Sequence, residues 1–222
     1  MTDFAALREA MVERQIASRG IRSPHLLAAM RAVPREAFVP DHLAGHAYED
    51  SPLPIEADQT ISQPYIVALM IEAAGIGPAA RVLEVGAGSG YAAAVIGRIA
   101  AEVIAIERHG ALAALAAERM ARLGYDNVRI IHGDGSAGLP EAAPFDAILA
   151  AASGSHVPEP LKRQLSIGGI LVMPIGEPGS VQTLVKLTRT GAESYRGEDL
   201  GAVRFVPLIG AAGWDEAGTY GR

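Results

Sequence analysis

The chain contains no cysteine, so neither a disulfide framework nor a thiolate metal site can be built from it. That suits a reducing compartment, and the cytoplasm is the expected location. Basic residues are in deficit. Nineteen Lys and Arg stand against 25 Asp and Glu, a formal charge of −6, and this argues against nucleic acid as a partner because neutralising phosphates takes clustered cations. No apolar run approaches the roughly 20 residues that span a bilayer, so no membrane association is expected. The opening residues Met1-Thr2-Asp3-Phe4 lack a basic stretch leading into an apolar one, so no secretory leader is expected. No GxxxxGK[ST] phosphate loop occurs. The histidines, at 25, 42, 46, 109, 132 and 156, show no HExxH or similar ligand spacing, so no metal is expected.

What is present is a globular chain of 222 residues with an apolar half, enough for one compact unit with a core of its own. Apolar positions at Phe4, Leu7, Met11 and Ile16 predict a helix over residues 4–19, stopped by Gly20. Ser23-Pro24 reads as a cap followed by a first-turn proline, opening a helix to about Arg31. Pro34, Pro40, Pro52 and Pro54 punctuate a loop-rich stretch, and a further helix starts at Ser62-Gln63-Pro64 and ends near Gly75. Residues 1–75 are therefore expected to form an N-terminal helical region, 76–214 the main domain, and 215–222 a polar, glycine-rich tail that frays.

From Arg81 the rhythm becomes strand, helix, strand. Strands are expected at 81–85, 102–106, 127–131, 145–150 and 169–174, with helices at about 89–100, 109–123 and 157–165. This alternation predicts an α/β fold, a Rossmann-like, doubly wound, mostly parallel sheet. The segments 182–187 and 203–208 look like strands with no crossover helix between them, so an antiparallel C-terminal pair is expected.

The chemistry gathers where three of these strands end. Glu84-Val85-Gly86-Ala87-Gly88-Ser89-Gly90 is an acid followed by a GxGxG turn into a helix. Glycines there let the backbone approach a ligand closely, and helix-start amides face it. A carboxylate beside the turn repels a pyrophosphate but accepts from an ammonium group. S-adenosylmethionine carries an ammonium and a sulfonium and no phosphate, and Tyr91 stands where a dinucleotide fingerprint has its third glycine. Glu107 ends the second strand and can accept both ribose hydroxyls, or can be a solvated strand-end acid. Asp134-Gly135 follows the third strand. Asp134 can accept from an adenine amino group and the Gly135 amide can donate to a ring nitrogen, or the pair is a plain Asp-Gly turn.

The run Glu84-Val85-Gly86-Ala87-Gly88-Ser89-Gly90 resembles motif I of class I S-adenosylmethionine-dependent methyltransferases. A closer resemblance lies upstream. Asp58-Gln59-Thr60-Ile61-Ser62-Gln63-Pro64-Tyr65 is similar to the signature segment of protein-L-isoaspartate O-methyltransferases, as are Met11-Val12-Glu13-Arg14-Gln15-Ile16, Val33-Pro34-Arg35-Glu36-Ala37-Phe38-Val39-Pro40, Pro144-Phe145-Asp146-Ala147-Ile148 and Val203-Arg204-Phe205-Val206-Pro207-Leu208. The similarity runs from about residue 10 to 214. It implies an enzyme that methylates the free carboxylate of L-isoaspartyl residues in damaged proteins or peptides, with S-adenosyl-L-methionine consumed and S-adenosyl-L-homocysteine released. Ser62 matches the family's active-site serine, where it would orient the acceptor carboxylate; without the resemblance it reads as a helix N-cap. The implied cofactor set is Thr60, Glu84, Gly86, Ala87, Gly88, Ser89, Gly90, Glu107, Arg108, Asp134 and Gly135. A monomer is the expected state. Glu56-Ala57-Asp58 replaces a run that usually carries glycine, Ala151-Ala152-Ser153-Gly154-Ser155-His156 departs from the usual loop, and Ile209-Gly210-Ala211-Ala212-Gly213-Trp214 lacks polar residues. These departures keep open a related carboxyl methyltransferase acting on another peptide aspartate. A non-catalytic S-adenosylmethionine-binding module is the alternative of another class, and a nicotinamide-dependent dehydrogenase is disfavoured by the turn and by Glu84.

Overall fold

The computed structural model describes residues 2–217; the expected tail lies outside the described residues from 218 onward. Helix α1 (Phe4–Met11) is capped by Asp3, whose side chain accepts from the Ala6 amide at 3.0 Å. It continues as a π turn and a 3₁₀ turn to Arg19 and stops at Gly20, as the pattern predicts. Helix α2 (Pro24–Ala32) starts from Ser23, whose hydroxyl accepts from the Leu26 amide. A hairpin of two short strands follows, β1 (Leu53–Pro54) and β2 (Thr60–Ile61), and then helix α3 (Pro64–Ala74), closed at Gly75.

The main sheet has seven strands in the order β5-β4-β3-β6-β7-β8-β9. These are β3 (Arg81–Val85), β4 (Glu102–Glu107), β5 (Val128–His132), β6 (Phe145–Ala150), β7 (Leu165–Ile175), β8 (Gln182–Arg189) and β9 (Tyr195–Val203). β5 through β7 are mutually parallel, and β7-β8 and β8-β9 are antiparallel. From β3 the chain moves outward to β4 and β5, then returns to lay β6 on the other side of β3. The strand order therefore reverses at β3, and an open α/β sheet forms its ligand crevice at the carboxyl ends beside such a point.

Alternation along the buried strands assigns the two faces. Val82, Val103, Ala105, Ala147, Leu149 and Val172 join one core with α2, α3, α4 (Tyr91–Gly97) and α5 (Gly110–Arg122). Leu83, Val85, Ile104, Ile106, Ile148 and Leu171 join the other, against Leu161 of α6 (Glu159–Arg163). The N-terminal helices belong to the first core, so they complete the main domain by covering one face of its sheet. Among the described residues no helix is long and apolar enough to cross a membrane.

Two expectations change. The last antiparallel strand is Tyr195–Val203, not 203–208. This edge strand is largely exposed and reads Tyr-Arg-Gly-Glu-Asp-Leu-Gly-Ala-Val, so it carries little apolar signal. The apolar run after it is irregular chain that lies along the site, tied by the Ser153 amide donating to the Val206 carbonyl at 2.8 Å. The helices are also shorter than expected at 89–100 and 157–165. The glycine turn occupies the first residues of one, and Pro158 sets the start of the other.

Candidate active site

The carboxyl ends of β3, β4 and β6 open into a cleft of about 770 Å³, ample for a nucleoside with an amino-acid arm by the usual range of ligand cavities. Gly86 and Ala87 both donate to the Ile106 carbonyl, at 2.8 and 3.1 Å, which lays the glycine turn against β4. Gly88 has φ +53°, a conformation nearly closed to side chains with a Cβ. Its amide donates to Glu107 Oε2 at 2.8 Å, and the His109 amide donates to Oε1 at 2.9 Å. Glu107 thus fixes the turn from the neighbouring strand, and each of its oxygens keeps a second acceptor site. At Gly135 a Cβ would meet Val85 Cγ1 at 2.7 Å, so only glycine lets this backbone lie under the cleft.

Glu84 sits at the floor, 2% exposed, with Oε2 buried and, among the described residues, without a hydrogen-bond partner. Burial first, and then the like charge of Glu107, push its carboxyl up to about 8. An orphaned acid in a cleft lined by turn amides is incomplete alone; a cationic group placed there would restore the charged form. The two carboxylates, as acceptors, thus fit a ligand with an ammonium at one end and hydroxyls at the other.

The opposite wall is β2 with the residues that follow it. Thr60 and Ser62 both line the cleft. Ser62 does not cap α3: the N-cap is Gln63, with no side-chain cap bond, and among the described residues no partner takes up the Ser62 hydroxyl. The segment is held from behind instead. Gln63 donates its amide to the Asp50 carbonyl at 2.8 Å, the Tyr65 amide donates to Asp50 Oδ1 at 3.2 Å, and Arg35 donates to the Ser62 carbonyl at 2.8 Å.

Of the residues expected at the site, Thr60, Ser62, Glu84, Gly86, Ala87, Gly88, Ser89, Glu107, Arg108 and Gly135 line this one cleft. Gly90 and Asp134 do not. Gly90 is the left-handed N-cap of α4, where a Cβ would meet Met120 Cε at 3.1 Å and Ala116 Cβ at 3.2 Å. Asp134 accepts from the Ser136 amide at 2.8 Å and the Ala211 amide at 2.7 Å, so it holds the C-terminal segment. Those backbone bonds, with the Ser136 hydroxyl and Arg108, draw its carboxyl below the usual range against the opposing effect of burial.

Sequence reasoning missed the third wall, from Ala202 to Ile209, which the apolar pattern presented as a strand. It is docked on the loop after β6, where Trp214 Nε1 donates to the Ser153 carbonyl at 2.9 Å. Ala151 and Ala152 of that loop reach the cleft, whereas His156 lies outside its wall. Glu56, one of the two carboxylates in the altered run, turns inward and stands 3.7 Å from Arg119 of α5, whose Nη1 donates to the Ser89 carbonyl at 3.2 Å. The next two residues, Ala57 and Asp58, take φ of 57° and 54°, a region that costs a residue with a Cβ about 1–2 kcal/mol.

A buried acid and a left-handed glycine turn at the reversal point of a parallel sheet, followed by an antiparallel strand pair, define a class I S-adenosylmethionine-dependent methyltransferase. Comparison with known proteins narrows this. The family model for protein-L-isoaspartate(D-aspartate) O-methyltransferase matches residues 6–213, so the chain belongs to that family. It is 61% identical over 213 residues to protein-L-isoaspartate O-methyltransferase 1 of Rhodopseudomonas palustris strain HaA2, covering 96% of this chain and 87% of the relative. It is also 61% identical over 216 residues to the enzyme of Methylorubrum populi, covering 96% of this chain and all of the relative. A solved protein-L-isoaspartate O-methyltransferase superposes with a TM-score of 0.83 at 31% identity, over 93% of this chain and 67% of that one. A beta-aspartate methyltransferase from Plasmodium falciparum, in complex with S-adenosyl-L-homocysteine, gives 0.78 at 28%, over 91% and 98%.

Proposed function

We propose that this chain methylates the free carboxylate of L-isoaspartyl residues in damaged proteins and peptides, drawing the methyl group from S-adenosyl-L-methionine. One observation carries the reading: a serine hydroxyl left free by the helix it precedes shares a single cleft with a buried, unpartnered acid at the glycine turn. When bound, the cofactor supplies a methyl carbon on a sulfonium, and S-adenosyl-L-homocysteine is the thioether left when that bond breaks.

Glu84 is suited to hold the ammonium end, the turn from Gly86 to Ser89 to lie along the arm, and Glu107 to accept the ribose hydroxyls. Thr60, Arg108 and Gly135 lie where they would bound the same ligand; Gly90 and Asp134 support it indirectly, one by starting α4 and the other by anchoring the C-terminal wall. The acceptor needs no general base, because a carboxylate is ionised at neutral pH, with a reference pKa of roughly 4. What the site contributes is placement. Ser62 donates to one oxygen of the acceptor and leaves the other aimed at the methyl carbon. Holding two reactants in attack geometry is worth about 7–11 kcal/mol. The ester expels methoxide far more readily than a carboxylate loses its oxygen, so the following backbone nitrogen attacks the ester carbonyl, methanol is released as the succinimide closes unaided, and hydrolysis returns some normal aspartate.

The cleft is complete within one chain, which supports action as a monomer. The acidic net charge supports protein rather than nucleic acid as substrate. A cytoplasmic setting belongs to the same reading and is supported by the cysteine-free composition. The test pairs labelled S-adenosylmethionine with two peptides differing only in Asp or isoAsp at one residue. Base-labile label on the isoAsp peptide alone is expected; equal label on both, or none, would overturn the assignment.

A further inference from the structure

Arg35 is a buried cation that the proposed chemistry does not use. It opens the 3₁₀ turn Arg35–Phe38 and is 0% exposed. Among the described residues no carboxylate forms an ion pair with it, and its Nη1 has no hydrogen-bond partner. Its guanidinium stands 4.7 Å from the centre of the Tyr91 ring. A methionine could fill such a place without taking a charge out of water, so the guanidinium invites an explanation beyond packing.

Its bonds supply one. Nε donates to the Ala47 carbonyl at 2.7 Å and Nη2 to the Ser62 carbonyl at 2.8 Å. These are charge-assisted bonds from one rigid fork to two segments 15 residues apart in sequence. Ser62 has no cap bond of its own to orient it, so the direction of its peptide unit governs where its hydroxyl points. The same guanidinium leans on Tyr91, the residue that follows the glycine turn and lines the cleft. We propose that Arg35 is a positioning residue for methyl transfer: it braces the Ser62 peptide against Ala47 and Tyr91 so that the serine hydroxyl faces the acceptor carboxylate. This rests on the functional reading above and adds to it a residue that touches neither substrate nor cofactor.

The test uses the full chain with Arg35→Lys and Arg35→Met. Lysine keeps the charge but offers a single nitrogen in place of the fork; methionine keeps much of the volume and loses both bonds. The first readout needs no substrate. Hydrogen exchange across residues 60–67 is expected to quicken about tenfold or more in both variants, and unchanged exchange there would overturn the brace. The second is kinetic. Turnover is expected to fall roughly 10-fold in Arg35→Lys and 100-fold in Arg35→Met, with cofactor affinity within twofold of the parent. In a Ser62→Ala background, Arg35→Met should cost less than a further threefold. The same 100-fold loss in that background, or affinity falling in step with turnover, would overturn the proposal. Should Arg35→Met fail to fold, Arg35→Lys carries both readouts. Labelling of the isoAsp peptide by the unaltered chain judges the functional reading separately, since the exchange result stands without it.

Discussion

At Glu84 a carboxyl group stands where burial and a second acid both oppose its ionisation, and the consequence is measurable as a function of pH. An ordinary glutamate titrates at 4.5 and the folded group near 8. Between those values the folded chain holds a proton that the unfolded chain has released, so the stability this group contributes is whole below about pH 4.5 and is lost as pH rises through 8. Glu84→Gln removes that dependence. Its melting temperature should fall less than the parent's between pH 5 and 8 and exceed it at pH 8, by roughly 2–4 °C for each kcal/mol recovered at this size. The same substitution should weaken S-adenosylmethionine binding at least tenfold, because the ammonium loses its counter-ion. In the parent, binding at pH 7 should expel close to one proton, read by calorimetry in buffers of differing ionisation enthalpy. Binding without proton release, or an unaltered melting profile in the variant, would contradict this account of Glu84.

The hairpin of β1 and β2 shows how an element can be placed against its local preferences. Its tip puts Ala57 and Asp58 in the left-handed region. Ile55 packs toward the Gly88 turn, and Glu56 reaches Arg119, whose other nitrogen holds the Ser89 carbonyl. Those contacts hold the tip in place despite its strain, because a residue stays in a sparsely populated conformation only when its surroundings over-determine it. Ala57→Gly relieves about 1–2 kcal/mol of strain and gives back about 0.4–1 kcal/mol through the freer unfolded chain. The balance is a gain of under about 2 kcal/mol, or a few degrees in melting temperature, checked by thermal denaturation. A lower melting point would mean that the tip is not strained.

For the whole molecule, the proposed cofactor site predicts a stabilising ligand, since the cleft joins the glycine turn, the N-terminal region and the C-terminal segment. At 100 times its dissociation constant a ligand that binds only the folded state adds about 2.7 kcal/mol. S-adenosylhomocysteine at that excess should raise the melting temperature by roughly 5–10 °C, while NAD at the same concentration should leave it unchanged. An equal shift with NAD would instead favour the dinucleotide-binding alternative that the turn and Glu84 disfavour.

The strand-helix rhythm, the GxGxG turn after Glu84, the acid at 107 and the helix starts at Pro24 and Pro64 were legible in the chain because each depends on spacing or backbone chemistry within a few residues. The edge strand Tyr195–Val203 was not, since an exposed strand has little apolar pattern to show. Nor was the part played by 204–208, where apolar character marks cover for a cleft rather than a place in the sheet. Asp134 shows the limit at one residue: its Asp-Gly turn was visible, but its bond to Ala211 joins positions 77 apart. By itself the sequence determined the fold class and the kind of cofactor, both written in local pattern, while the role of Ser62 rested on the family resemblance and not on its own spacing. Only the tertiary structure decided that Ser62 is held from behind by Arg35, that Glu84 is buried without a partner and that Glu56 turns inward to Arg119, because burial and charge pairing arise from contacts between residues far apart along the chain.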